Sequence, residues 1–490
     1  MEDLMSFQKL REVLGARLFA GEGKQAAEFR REGFSSVSVD SRELLPGALF
    51  VALRGAVQDG HAFVEKAFRD GASGALVALS ALENPKLGLL SLAEKFNRVL
   101  VAVDDTLKGL QNAAAFYLRQ FPDLIRIGIT GSMGKTTTKE IAAAIIGQEK
   151  AVVMNKGNLN SETGLPISVF EVRAHHEVGI FEAGMNRPGE ISALAKILDP
   201  NLAVITNIGS AHIGILGSRD KIAEEKKKIF SEFNGTNTAL IPVDDDYRDF
   251  LARDVNGKVV FYGASTLPAF GGVKDLGLEG TEIIWDGTPV RFGLPGRVNV
   301  TNAIAAAALA LELPVSSSAI ARGFASVKPI FGRGEIINGR STLIRDCYNS
   351  NPESIDAALD FCDNLEWPGR KVYVLGAMLE LGDISEKAHL DLGRRLASCR
   401  ADMLFLLGDE LRVAAEALAE ENQHDREKGR RGSLNFFHTS SKNELSRALD
   451  NYIVNGDLVL LKGSRCYEME ELTAVLTGQT EKNQGAMHVS

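Results

Sequence analysis

Cysteine is scarce. The 490 residues hold four, Cys347, Cys362, Cys399 and Cys466, far apart and without a C-x-x-C pair. That spacing argues against a disulfide framework or a thiolate zinc site and predicts reduced, mostly buried thiols. Long apolar runs are also missing: the longest, residues 303–311, is far too short to span a bilayer. The stretch Met1-Glu-Asp-Leu-Met-Ser-Phe7 has neither a basic lead-in nor an apolar core, so a cytosolic chain with no stable membrane insertion is expected. There is no excess of positive charge. Lys and Arg number 55 against 64 Asp and Glu, for a net charge of −9, and no basic cluster is interleaved with aromatics. Nucleic acid and anionic membrane are therefore poor candidates as the principal partner.

What the chain does have is length, a 45% hydrophobic content and a recurrent strand–helix pattern. At roughly 100 to 200 residues per domain it can bury two to four cores. Three α/β segments are expected, with no internal repeat. Residues 1–105 hold short β-like runs at 36–40, 48–52 and 98–103 with a helix-like stretch at 62–70 between them. Residues 106–325 open with a helix at 107–120 and continue with apolar strands at 178–182 and 202–207, which predict a parallel sheet. Residues 326–490 alternate runs at 341–345, 371–375, 403–407 and 457–461 with helical stretches, the pattern of a doubly wound, Rossmann-like domain. A charged surface loop is expected at 421–433 and a frayed tail at 478–490.

The chemistry begins at Leu124-Ile-Arg-Ile-Gly-Ile-Thr-Gly-Ser-Met-Gly-Lys-Thr-Thr-Thr138, an apolar strand, a Gly-Lys-Thr loop and an alanine-rich helix. This is a nucleotide phosphate site. Gly131 and Gly134 permit a tight turn with Ser132 and Met133 between them, and inward backbone N–H groups meet the positive end of a helix beginning near Thr136 and Thr137. Lys135 reaches the outer phosphates and Thr136 offers a hydroxyl to Mg²⁺. The longer eight-residue pattern would need glycine where Ile129 stands, so the strand before and the helix after carry the assignment.

Glu182 and His212 each fall just beyond an apolar strand, where parallel sheets bind ligands. Each has a plainer reading, a solvated loop carboxylate and a satisfied structural histidine. In Ile222-Ala-Glu-Glu-Lys-Lys-Lys-Ile-Phe230, helical spacing puts Ile222, Lys226, Ile229, Phe230 and Phe233 on one face, with Lys227 and Lys228 on the polar side and Lys228 spaced to pair with Glu224 and Glu232. A half-buried Lys226 either snorkels or gives up its proton; a neutral amine can take CO₂ as a carbamate, an oxygen ligand for Mg²⁺.

With these pieces in order, the chain resembles the Mur ligases from Asp40 to about Leu472. The resemblance is carried by Asp40-Ser-Arg42, Phe50-Val-Ala-Leu-Arg-Gly55 with Asp59-Gly-His-Ala-Phe63, the phosphate loop, Gly157-Asn-Leu-Asn160, Asn186-Arg-Pro-Gly-Glu190 and Ile205-Thr-Asn-Ile-Gly-Ser-Ala-His212. It continues through Gly296-Arg-Val-Asn299, Asn302, Gly332-Arg333, Asp346-Cys-Tyr-Asn-Ser-Asn-Pro352, Leu379-Glu-Leu-Gly382 and Lys462-Gly-Ser-Arg465. Within the family, the motifs at 346–352 and 379–382 mark the dipeptide-adding branch.

The resemblance implies a cytoplasmic, ATP- and Mg²⁺-dependent ligase of peptidoglycan synthesis, a monomer in three domains, joining D-alanyl-D-alanine to UDP-N-acetylmuramoyl-tripeptide. It implies Lys135 and Thr136 at ATP and Mg²⁺, Glu182 and His212 at a second Mg²⁺, and Lys226 as the carbamylated lysine. Asn299 and Asn302 fall on the adenine side, and Arg333 and Asp346 at phosphates and ribose. Ser41, Arg42, Asp59, Gly60 and His61 fall in the uridine nucleotide region, Asn158 and Asn160 near the peptide, and Asn349 and Asn351 at the acceptor. Two positions depart from the family: Ala377 replaces an acid in Gly376-Ala-Met378, and Gly214 stands where a glutamate is common.

Overall fold

The computed structural model describes residues 3–20, 32–55, 58–427 and 434–479, which form three α/β units in chain order. The first unit has a five-stranded sheet of β1 (Arg17–Phe19), β2 (Ser36–Ser38), β3 (Ala48–Val51), β4 (Gly74–Ala78) and β5 (Val99–Val103), ordered β1-β5-β4-β3-β2. Only β1 runs antiparallel to its neighbour. Every residue of β3, β4 and β5 is buried, as strands covered on both faces require. Helix α1 (Thr106–Leu118) starts where the Asp105 side chain accepts from the backbone N–H groups of Leu107 and Lys108, satisfying donors that the first turn leaves open. Its inner face joins one apolar core running from Val51 and Val101 of the first sheet to Phe181 and Leu194 of the second unit.

The second unit is built on six parallel strands, β6 (Ile125–Thr130), β7 (Val152–Met154), β8 (Val178–Glu182), β9 (Leu202–Ile205), β10 (Thr238–Pro242) and β11 (Lys258–Tyr262), ordered β11-β10-β9-β6-β8-β7. Helices α2 (Lys135–Ile146), α3 (Glu190–Leu198), α4 (Arg219–Lys227) and α5 (Arg297–Leu311) belong to this unit. The alanines of α5 are buried all round, which explains why the longest apolar run is a core helix. A three-stranded antiparallel sheet, β12 (Phe270–Asp275), β13 (Thr281–Trp285) and β14 (Thr288–Phe292), also packs here through Ile283, Trp285 and Phe292. The sequence reading passed over it because its strands are wet on one face and lack an apolar run.

The third unit has six strands, β15 (Glu335–Asn338), β16 (Thr342–Asp346), β17 (Lys371–Gly376), β18 (Met403–Leu407), β19 (Asn435–Thr439) and β20 (Leu458–Lys462), ordered β15-β16-β20-β17-β18-β19 with β15 alone antiparallel. Helices α6 (Pro352–Asn364), α7 (Ser385–Ala397) and α8 (Leu411–Glu427) connect them. Helix α8 corrects the loop expected at 421–433. Leu411, Ala414, Ala415 and Leu418 are buried at helical spacing, and residues 421–427, the first half of the expected loop, extend the same helix. Residues 428–433 and the tail from 480 lie outside the described residues. Among the described residues no helix is long and apolar enough to cross a membrane.

Candidate active site

Strand β6 ends at Thr130, and the chain turns through Gly131 (φ 150°) and Gly134 (φ 77°) into α2. Both glycines are obligatory. A Cβ at Gly131 would stand 1.8 Å from Thr206 Oγ1, and one at Gly134 2.1 Å from Asn302 Oδ1. The loop is gripped from the neighbouring strand end: Ser132 N–H donates to the Asn207 carbonyl at 3.0 Å, Met133 N–H to Asn207 Oδ1 at 2.9 Å, and Thr206 Oγ1 to the Met133 carbonyl at 2.5 Å. The only sequence signal of Thr206 and Asn207 is a polar pair directly after β9, the strand beside β6.

Lys135 curls back so that Nζ donates to the Gly131 carbonyl at 2.8 Å. Lys226 reaches the same oxygen from α4, also at 2.8 Å. Its inward placement is as the spacing predicts: Ile222, Lys226 and Ile229 are all essentially inaccessible. Burial pulls the Lys226 pKa well below 10.5, and repulsion from Lys135 adds to that. Burial also lowers the Lys135 pKa, with Glu182 opposing. The polar side of α4 departs from the expected pairing. Lys228 bonds Glu225 at 2.6 Å rather than Glu224 or Glu232, because buried Glu225 accepts from the Gly189 and Ile191 N–H groups at the start of α3. Lys227 donates to the Phe250 and Arg253 carbonyls.

Glu182, the last residue of β8, is 1% exposed. Its Oε2 accepts from Thr136 Oγ1 at 2.6 Å and its Oε1 from Asn160 Nδ2 at 2.7 Å. A carboxylate and a hydroxyl sharing one point beside the phosphate loop are the hard oxygen donors Mg²⁺ takes. His212, in the left-handed region at φ 65°, holds Nδ1 2.8 Å from Glu380 Oε2, so the third unit supplies its partner. The Thr136–Glu182 oxygen pair therefore fits a divalent cation, with His212 lining the same cleft. The contact with His212 draws the Glu380 pKa down.

Between the second and third units lies a cleft of about 730 Å³. It is lined by Ser132, Met133, Gly134, Lys135, Thr136, Thr137, Asn160, Glu182, His212, Asn299 and Asn302 from one side, and Arg333, Asp346, Asn349 and Asn351 from the other. Lys226 sits beneath it. Arg333 stacks over the Tyr348 ring at 4.2 Å. Asp346 is held at 2.7 Å by Lys462, a buried lysine at the end of β20 whose role the sequence reading had not drawn. Asn302 braces the loop glycine rather than standing free, and Asn299 Nδ2 donates to the Pro295 carbonyl.

Asn351 is the N-cap of α6, its Oδ1 accepting from Ser354 N–H and Pro352 following it, so this acceptor candidate also caps the start of a helix. Asn349 Oδ1 accepts from Ser350 N–H.

The two departures have structural counterparts. Gly214 N–H donates to the Glu380 carbonyl, and a Cβ on Gly214 would meet Gly382 N at 2.3 Å, so any side chain there collides with the third unit. Ala377 is fully buried in the third unit's core, its carbonyl accepting from Ser464 Oγ. Ser210 adds a further tie across the cleft, donating from N and Oγ to Glu353.

The uridine-region candidates gather apart from this cleft. Arg42 chelates Asp40, and Lys66 Nζ donates to the Ser41 carbonyl. Gly60 packs so closely that a Cβ would lie 2.6 Å from the Leu53 carbonyl oxygen. His61 is 1% exposed with both ring nitrogens engaged: Nε2 accepts from Ala78 N–H at 2.9 Å and Nδ1 meets Asp59 Oδ1 at 2.5 Å. That arrangement makes His61 a support for Asp59. Asn158 does not line the cleft; its carbonyl accepts from Asn160 N–H.

Three family descriptions match the chain: "Mur ligase family, catalytic domain" over residues 34–116, "Mur ligase middle domain" over 129–310 and "Mur ligase, glutamate ligase domain" over 332–465. A UDP-N-acetylmuramoyl-tripeptide--D-alanyl-D-alanine ligase of Treponema pallidum is 42% identical over 475 residues, covering 96% of this chain and 99% of that protein. The crystal structure of MurF from Acinetobacter baumannii superposes with a TM-score of 0.83 at 29% identity, covering 98% of this chain and 100% of the other. MurF ligase from Thermotoga maritima in complex with ADP gives 0.73 at 26% identity, covering 91% and 98%.

Proposed function

Because the chain belongs to the Mur ligase family, we infer that it is an ATP-dependent ligase that joins D-alanyl-D-alanine to UDP-N-acetylmuramoyl-tripeptide in peptidoglycan synthesis. The observation that carries the reading is the cleft in which the phosphate loop, Glu182 and His212 face Arg333 and Asp346. In our reading residues 1–105 hold the uridine nucleotide, 106–325 hold ATP and 326–490 close over both. We read the enzyme as a cytoplasmic monomer.

A carboxylate oxygen at the end of the peptide stem attacks the γ-phosphorus of ATP, and the bond to the ADP oxygen breaks, giving an acyl phosphate. Lys135 swings from the Gly131 carbonyl to the outer phosphates, and the N–H groups of the loop and the first turn of α2 face the rest. Thr136 would hold one Mg²⁺, and Glu182 beside it would hold a second with His212 and a carbamate on Lys226. Bound there, Mg²⁺ offsets the charge that keeps carboxylate and phosphate apart. The Lys226 amine, poor in protons, is suited to take up CO₂ with loss of one N–H proton to solvent.

The dipeptide's amino nitrogen then attacks the acyl carbon, phosphate leaves and the nitrogen sheds a proton. Excluding water over the acyl phosphate is the physical reason for a closing third unit. Arg333 and Asp346 enter the nucleotide site from that unit.

A phosphate-release assay with UDP-N-acetylmuramoyl-tripeptide and ATP tests the reading. Turnover should require D-alanyl-D-alanine, because a pocket that pairs the dipeptide's inner amide and terminal carboxylate is left with unpaired polar groups by a shorter acceptor. Equal turnover with free D-alanine, lysine or glutamate would assign the chain to another ligase of the family.

A further inference from the structure

Lys139 lies one turn beyond Lys135 on α2 and has no exposed surface. Nothing in the chemistry above uses it. Its Nζ donates to the main-chain carbonyl of Asn155 at 2.5 Å, with Glu140 Oε1 at 3.2 Å. Burying an ammonium costs several kcal/mol unless it is well bonded, so such a residue in a helix otherwise packed by Ile141, Ala142 and Ile145 calls for a reason.

The reason is found in what Asn155 holds. It follows β7, is itself inaccessible, and spends its whole side chain on neighbours. Oδ1 accepts from Glu182 N–H at 2.9 Å, and Nδ2 donates to the Glu182 carbonyl at 3.2 Å and to the Leu159 carbonyl at 2.8 Å. The ladder between β7 and β8 ends at Met154 and Ile180, two residues short of Glu182. Asn155 thus continues by side chain what the strand no longer supplies by backbone. Through Leu159 it also anchors the turn carrying Asn160, which bonds Glu182 Oε1 and whose carbonyl accepts from Gly184 N–H. The circuit closes on α2, where Thr136 bonds Glu182 Oε2.

We propose that Lys139 and Asn155 are positioning residues that fix the Glu182 carboxylate against the Thr136 hydroxyl, so that the metal-binding pair is built from α2 at both ends. The proposal rests on the reading of Glu182 as a metal ligand. Metal affinity typically falls about 10- to 100-fold when a residue that orients a ligand is removed.

The test uses the full chain with ADP, reading Mn²⁺ binding by the paramagnetic signal of the free ion and, separately, ADP binding without metal. Lys139→Met and Asn155→Ala should each weaken Mn²⁺ binding about tenfold or more while leaving metal-free ADP affinity within about twofold, since the phosphate loop is untouched. Lys139→Arg should fall between Lys139→Met and the parent.

Unchanged Mn²⁺ affinity in both folded variants would overturn the proposal, as would a parallel loss of metal-free ADP binding, which marks a general structural role. Should Lys139→Met fail to fold, Asn155→Ala decides through the same two titrations. Glu182→Gln separates the two readings: if it keeps Mn²⁺ affinity, the metal-ligand assignment fails; if it loses affinity where Lys139→Met and Asn155→Ala do not, only the positioning role fails.

Discussion

Two ammonium groups on one carbonyl oxygen, Lys135 and Lys226 at Gly131, form an arrangement that a protein keeps only when one of the pair can lose its charge. The two lysines should answer mutation differently. Lys135→Ala should lower kcat by about 10²- to 10³-fold or more, the cost of losing a directed donor to a developing charge, with the fold intact by circular dichroism. Near-normal turnover would remove Lys135 from the phosphate site. Lys226→Ala should be nearly inactive and partly restored by acetate, which supplies the carbamate's oxygens. Lys227→Ala and Lys228→Ala should stay close to the parent.

Lys226 also makes a stability statement. Its folded pKa lies below the ordinary 10.5, so between those values the unfolded chain binds a proton that the folded chain does not, and stability rises with pH across that window. Lys226→Met should abolish this rise, melting higher than the parent near neutrality and showing a flatter pH profile by calorimetry. A lower melting temperature would mean the ammonium is well accommodated after all.

At the scale of elements, Gly214 is a close joint between the second and third units, with backbone against Gly382. Gly214→Ala should cost about 1–3 kcal/mol or displace the third unit, seen as a larger radius of gyration in solution scattering and a fall in kcat. Unchanged scattering and activity would show that the two units do not need this approach. Which elements the sequence revealed follows from how locally each was determined. The α4 register could be read because Ile222, Lys226 and Ile229 repeat at helical spacing. The partner of Lys228 could not, because Glu225 is claimed by the start of α3, over thirty residues earlier in the chain. The phosphate loop was legible because strand, glycines and helix are contiguous. Asn155 and Lys462 were not, since an isolated polar residue at a strand end gains meaning only from the strand placed beside it. Asn351 carried a readable signal, Asn before Pro at a helix start, but its place in a family motif drew it toward the acceptor.

For the whole molecule, the important contrast is between the two junctions. Helix α1 stitches the first and second sheets into one apolar interior, from Val51 through Leu110 to Leu194. The third sheet keeps its own interior, around Tyr373, Leu404 and Val459, and meets its neighbour through Ser210, His212 and Gly214 and through two partly buried apolar side chains, Ile213 and Leu278. Apolar continuity couples unfolding; a few polar ties, easily exchanged for water, do not. The protein should therefore melt as two blocks rather than three, residues up to about 325 together and the remainder separately. Calorimetry should resolve two transitions, and native-state hydrogen exchange should place the amides of β5 and β8 in one protection class and those of β17 in another. A single transition would mean that the cleft binds the halves more firmly than its contacts imply. With two, and with the third unit closing over the substrates as proposed, heat resistance and turnover draw on the same seam, so tightening it should slow product release.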